Sequence, residues 1–411
     1  MERTVVITGI GVLSSIAIGK DNFWEALIQG KTGFKPITLF DTSPFPMHVG
    51  GEITAFDPIA FLGKKGLREL DRSTRLVCSA AKLAIDDARL EITDENTLSM
   101  GVSIGTTFGS LHSISQFDRV GLTEGPRLVN PSHFPNTVIN SPASQISIRN
   151  KIKGFNATMS TGFCAALDAA SYAADFIKLN RANMVLTGGV EELCEETFLC
   201  FYTLGYLSGS KGSGPLCCPF DGRRDGTILS EGAAVLALEN SEFALNRGAE
   251  ILAVVKGYGN AFDPSAEKAP GESRGGLEKA ITLALKDALQ SPEDIDWICS
   301  GANSTKNMDR METRAIKKVF GKHAFKVPVS SIKSMVGESF SASGGLSLAS
   351  AAGALRKGFV PPTVNYQEKD PECDLDYVPN SARQKTIRNV LILSSDPYGN
   401  NSAIVLGRFE R

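Results

Sequence analysis

The sequence predicts an α/β protein built from two similar halves. Three observations carry this expectation. Strands and helices alternate through both parts of the chain, the pattern of βαβ units. Four segments of the first part have counterparts in the second, in the same order: TVVITGIG with ILAVVKGYG, VSIGTTFG with WICSGANST, the strand–turn–helix of 157–189 with that of 327–358, and AAVLALEN with SAIVLGRFE. The central stretch ATMSTGFCAALDAASYAADFIKLNRANMVLTGGVE joins a strand end, a sharp turn, an alanine-rich helix and a second strand. So many alanines mean that another backbone approaches closely. Two βαβ layers packed face to face, with two small-residue helices between them, follow from this. The halves divide into residues 1–255 and 256–411.

Taken in order, Thr4–Gly9 reads as a strand that turns through Gly11. Asp21–Gly30 is a short helix capped by Asp21 or Asn22, with Phe23, Leu27 and Ile28 inward. Residues 33–60 are loop-like, broken by Pro36, Pro44, Pro46 and Pro58. Asp71–Leu90 is a strong helix, because Leu76, Val77, Ala80, Ala81, Leu83, Ala84 and Ala88 lie on one broad face. Met100–Ile104 is a strand. Residues 108–147 form a polar insertion ending in the helical segment SPASQISIRN. Phe163–Leu179 repeats apolar residues at helical spacing, and Glu192–Leu207 is also helical. Ala233–Leu238 and Ile251–Val255 are continuous apolar strands. In the second half, Gly275–Leu289, Arg310–Phe320 and Leu346–Lys357 are helices. Trp297–Ser300, Val327–Ile332, Val390–Ser395 and Ala403–Gly407 are strands, the last two joined by the turn sequence DPYGNN.

Composition bounds the function. The 411 residues are 42% apolar and 21% charged, with a net charge of −2. No basic excess points to nucleic acid. The apolar runs fall short of the roughly 18 residues a membrane span needs, and the apolar start reads as a buried first strand rather than a signal sequence. The eight cysteines are scattered without a CxxC pair, so reduced thiols in a cytoplasm are expected. Only four histidines occur, none beside a cysteine pair, which argues against zinc. GSKGSG at 209–214 lacks the Lys-Ser/Thr ending of a phosphate loop, so nucleotide binding is not expected. No cofactor is implied.

Several blocks resemble the thiolase-fold β-ketoacyl synthases, in particular the β-ketoacyl-ACP synthase II group. They are VVITGIGVLSSIAIGKDNFWEALIQGKTGF, DGRRDGTILSEGAAVLALE and VSSIKSMVGESFSASGGLSLASAAGALRKGFVPPTVN. The resemblance covers nearly the whole chain and implies a thiolase-like fold, a five-layer α-β-α-β-α sandwich of duplicated halves. It also implies three catalytic positions, and all three are changed here. The family's nucleophilic cysteine falls at Phe163. Its first histidine, in an Ala-His-Gly-Thr-Ser-Thr segment, falls at Gly301. Its second, in a Lys-Ser-Met-x-Gly-His segment, falls at Glu338, while Lys333 is retained.

Condensation needs a thiolate to carry the acyl chain. It also needs neutral donors for the enolate left when CO₂ departs. Phe163 and Gly301 supply neither, and an ionised Glu338 would repel an enolate. Loss of the cysteine with the fold kept resembles the chain length factor, or ketosynthase β subunit, of type II polyketide synthases. That implies a catalytically silent chain in a heterodimer with an active ketosynthase α subunit, served by an acyl carrier protein and shaping the tunnel in which the polyketide grows. The resemblance also places 108–120 at the dimer interface, with His112, Ser115, Gln116 and Phe117 as candidate gates, and His133 and Phe134 directed toward the neighbour. Asn183–Thr187 and the alanine-rich helix are expected near the two-fold axis.

Other readings stay open on sequence alone. Cys164 is either a relocated nucleophile at a helix start, in a divergent acyltransferase, or a small buried side chain. Phe163 is a plug, plain core, or both. Glu338 pairs with Lys333 or is a solvated vestige. Arg223, Arg224, Asp225 and Glu231 form a charge network or a site. The subunit is a gate or a scaffold with a closed tunnel, and the product an aromatic polyketide or an aryl polyene.

Overall fold

The computed structural model describes residues 3–210, 214–267 and 275–410. Half of the stretch 209–214, the glycine-rich segment set aside as a phosphate loop, therefore lies outside the described residues. Ten strands make the principal sheet: β1 (Val5–Ser14), β2 (Met100–Gly105), β3 (Asn156–Met159), β4 (Met184–Glu191), β5 (Gly232–Asn240), β6 (Ala253–Phe262), β7 (Trp297–Cys299), β8 (Val329–Ser330), β9 (Asn389–Ser395) and β10 (Asn400–Gly407). The helices that position the site are α1 (Lys20–Ile28), α2 (Arg72–Asp87), α3 (Leu111–Thr123), α4 (Ser141–Asn150), α5 (Ala165–Lys178), α6 (Glu195–Thr203), α7 (Gly276–Asp287), α8 (Lys306–Phe320) and α9 (Ser341–Lys357).

The strand order is β8-β7-β9-β10-β6-β1-β5-β4-β2-β3. Its two halves are the same arrangement: β3-β2-β4-β5-β1 matches β8-β7-β9-β10-β6 position for position. The strand directions match as well. β2 runs parallel to β3 and β4, as β7 does to β8 and β9, and the remaining pairs in each half are antiparallel. The halves meet where β1 pairs with β6, Val5 opposite Val255. Every sequence echo thus falls on equivalent elements. The expected divide at 255/256 lies within β6.

Helices α5 and α9 touch each other and also strands of both halves, so they fill the layer between them. All but two residues of α9 are buried. Helix α2 covers the outer face of the first half and α7 that of the second. This is the thiolase-like α/β fold.

The repeat extends to single glycines. β1 does not turn at Gly11 as the sequence suggested; it continues to Ser14. A Cβ at Gly9 or Gly11 would collide with α2, at Ala84 and Ala80, and one at Gly257 or Gly259 would collide with α7, at Ala284 and Ala280. The glycines let a helix backbone lie on the strand. Helix α1 begins after Gly19, with no side-chain cap from Asp21 or Asn22. Asp71 does cap α2, its carboxylate accepting the Thr74 N–H at 2.8 Å.

Strand β4, which follows Asn183, is paired on both sides, by β2 and β5, and all eight of its residues are buried. The open edge of the first half is β3, which pairs only with β2 and is half-exposed.

Candidate functional site: a filled centre and an open cleft

The turn before α5 is a short 3₁₀ segment, Gly162–Cys164, entered from β3. It is stitched to β9: Ser394 Oγ donates to the Phe163 carbonyl at 3.0 Å, and Cys164 Sγ donates to the Ser394 carbonyl at 3.3 Å. The one-residue offset, about 100° on a helix, separates the two side chains. Phe163 enters a buried apolar cluster with Leu193, Phe198, Phe201, Leu229 and Phe340. Its ring lies 5.1 Å from Phe340 and 6.3 Å from Phe201, and Phe108 lies 5.1 Å from Phe340. Such aromatic pairs add about 0.5–1.5 kcal/mol each beyond burial.

Cys164 is fully buried. Burial pushes its thiol well above the ordinary range, and the nearby Asp168 and Asp396 push it the same way. The thiolate is the reactive form. The other imidazoles are elsewhere: His48 contacts Thr42, and His323 stacks on Phe320.

The equivalent turn of the second half, between β8 and α9, is filled by charge. Lys333 and Glu338 are both buried, with Nζ 2.8 Å from Oε2. The carboxylate is fully engaged. Oε2 also accepts from Asn303 Nδ2 at 2.9 Å, while Oε1 accepts the Phe340 N–H at 2.9 Å and Ser343 Oγ at 3.1 Å. Full hydrogen bonding is what makes such a buried pair tolerable. Gly301 stands on the same segment as Asn303. Its N–H donates to Glu312 Oε2 at 3.1 Å, and a Cβ there would sit 2.9 Å from the Leu393 carbonyl oxygen, closer than side chains are found. Burial pushes the Glu312 carboxyl up to about 7 and that of Asp309 up to about 6, against the pull of Arg224 on the latter.

The charged loop between α6 and β5 is a lattice. Arg224 is buried between Asp309 at 3.5 Å and Asp370 at 2.6 Å. Arg223 pairs with Asp221 at 2.8 Å. Glu231 takes Arg72 and the Ile53 N–H, and Asp225 accepts from Ser208.

The remaining candidates meet at the surface. His112, Gln116, Phe117 and His133 line one cleft of about 490 Å³, with Phe134 beside Phe117 at 6.2 Å. Ser115 is not on its wall and hydrogen-bonds Glu196, which His112 Nδ1 also approaches at 3.2 Å. Sequence reasoning missed Asn303 and Phe340. The motif segments holding both were visible, but neither contact can be read along the chain.

Among the described residues, no helix is long and apolar enough to cross a membrane, and no group of three or more His, Cys, Asp or Glu could hold a metal ion. The eight cysteines form no disulfide, and Cys200 is exposed.

Comparison with known proteins agrees over the full length. The β-ketoacyl synthase N-terminal domain family matches residues 2–244 and the C-terminal domain family residues 252–367. The chain is 36% identical over 409 residues to 3-oxoacyl-[acyl-carrier-protein] synthase 2 of Coxiella burnetii, covering 99% of both chains. It is 38% identical over 419 residues to the tetracenomycin polyketide synthase ketoacyl synthase alpha subunit of Streptomyces glaucescens, covering 99% of this chain and 97% of the other. Among solved structures it superimposes on the ishigamide ketosynthase/chain length factor with a TM-score of 0.92 at 33% identity, covering all of both chains. A type II PKS acyl-carrier protein in complex with its ketosynthase bound to the hexaketide gives a TM-score of 0.88 at 30% identity, again over all of both chains. With the fold, the turn geometry and these matches in agreement, the chain belongs to the β-ketoacyl synthase family.

Proposed function

We propose that this chain is a non-catalytic, chain-length-factor-type subunit that pairs with an active ketosynthase α subunit in type II polyketide synthesis. One observation carries the reading: at the position where the family holds its nucleophile, the chain has a buried phenylalanine packed among other aromatic rings. Two further features support it. A buried ion pair replaces one imidazole, and the backbone around Gly301 leaves no room for the other without a shift. The geometry of Cys164 counts against an acyltransferase built on that thiol, since it is sealed from solvent with a raised pKa.

The same reading assigns the cleft. Helix α3 has no buried residue, although Phe117 and Val120 lie on it. Leu122, Leu128, Phe134, Val138 and Ile139 are exposed nearby. A clustered apolar surface of this kind marks an interaction site. In the proposal it meets the ketosynthase α subunit, and His112, Gln116, Phe117, His133 and Phe134 border the tunnel carrying the growing chain from acyl carrier protein. The two halves, 1–255 and 256–411, act as one rigid support for that surface.

The test is reconstitution with the α subunit, the carrier protein and malonyl groups, followed by product mass measurement. Phe117→Ala should lengthen the product. An unchanged product would favour a scaffold with a closed tunnel.

A further inference from the structure

Phe340 has a backbone that phenylalanine rarely adopts. It lies at φ 48° and ψ −118°, in a region open to glycine but crowded for a residue with a Cβ. A bulky side chain persists there only when its surroundings over-determine it. Two restraints do so. Glu338 Oε1 accepts the Phe340 N–H at 2.9 Å, and the same carboxylate is fixed by Lys333, Asn303 and Ser343. The ring is buried against Phe108 at 5.1 Å, Phe163 at 5.1 Å and Phe201 at 4.9 Å.

The cluster has a way out. Phe201 bridges Phe340 to Tyr206, 5.9 Å away, and Tyr206 lines a cleft of about 460 Å³ shared with Leu204, Thr305 and Met308. Only aromatic rings lie along this series of contacts from Phe340 and Phe163 to the cleft wall.

We propose that Phe340 is a strained plug. Glu338 holds its backbone in a glycine-like turn so that the Phe340 ring, together with Phe163, fills an apolar chamber that would otherwise take an alkyl chain. Glu338 is then a positioning residue whose buried charge fixes a ring rather than a proton. The inference rests on the reading of Phe163 as non-catalytic, but not on the existence of a partner subunit.

Three measurements on the full-length chain test it, with decanoate as the alkyl probe. First, Phe340→Gly should melt at a higher temperature than Phe340→Ala, reversing the usual order, because glycine alone is relaxed at this φ. An alanine variant as stable as the glycine variant overturns the strain. Second, Phe163→Ala/Phe340→Gly should bind one decanoate at least about tenfold more tightly than the unmodified chain, since an emptied apolar chamber gains by burying an alkyl chain. Equal binding in both overturns the chamber. Third, Glu338→Ala/Lys333→Met removes the staple without leaving a lone buried charge, and should also gain decanoate binding. A variant that folds and gains none overturns the role of Glu338. A Phe163→Ala/Phe340→Gly variant that refuses decanoate while the unmodified chain is inert in condensation defeats only the plug, whereas an unmodified chain that condenses acyl units defeats the proposed function.

Discussion

The centre of the molecule, assembled from both halves of the chain, and the cleft beside α3, carried by the first half alone, are built in opposite ways. At the centre, Phe163, Phe201 and Phe340 are buried and in mutual contact, and the facing turn is closed by Lys333 and Glu338. At the cleft, α3 buries nothing, and His112, Gln116, Phe117 and His133 line open space. Where a condensing enzyme needs room for a thiolate and imidazoles, this chain is solid. Where two subunits would meet, it is open. A side chain's worth to folding and its worth to function therefore separate cleanly, and substitutions can pull them apart.

The largest effect falls at the centre. Glu338→Leu leaves Lys333 buried without its partner and should destabilise the chain by about 3–5 kcal/mol. Adding Lys333→Met should recover much of that loss in chemical denaturation. If the double variant stays as weak as the single one, the pair does more than balance itself. Phe163→Ala should cost about 3–5 kcal/mol as a cavity opens. Phe163→Cys should not produce condensation, because a thiol there still faces Gly301 and Glu338.

A smaller effect is set by pH. The Glu312 carboxyl titrates at about 7 in the folded chain, above its ordinary value of 4.5, chiefly because it is buried. The folded state therefore holds this proton more tightly than the unfolded state. The stabilisation is fully present below about 4.5 and is lost as pH rises through about 7. Urea titrations between these values should show falling stability, with a shallower slope in Glu312→Gln. An unchanged slope would place the proton elsewhere. At the thiols, alkylation of the native chain should mark exposed Cys200 and spare Cys164, as read by peptide mass. At the cleft, His112→Ala and Phe117→Ala should shift stability by only about 0.5 kcal/mol while changing product length in the reconstituted pair.

The two regions were not equally legible in the sequence. The repeated segments anticipated equivalent strands in both halves, because period and order survive in one dimension. Four candidate residues of the insertion converge on one cleft; Phe134 lies beside it against Phe117, and the place of Ser115 on α3 turns it to Glu196. Gly11 was misread as a turn, since it answers to a helix some seventy residues further along the chain. That β4 is flanked on both sides is likewise invisible in one dimension. Phe340 was passed over for a similar reason. The restraints proposed for its φ are a carboxylate and three rings, all three rings from distant parts of the chain.

The most direct measurement is made on the purified chain without any companion subunit, given acyl and malonyl groups on carrier protein. No acyl adduct on the chain, no released CO₂ and no new carbon–carbon bond are expected. A β-ketoacyl product formed at the rate of an ordinary ketosynthase would contradict the proposed function.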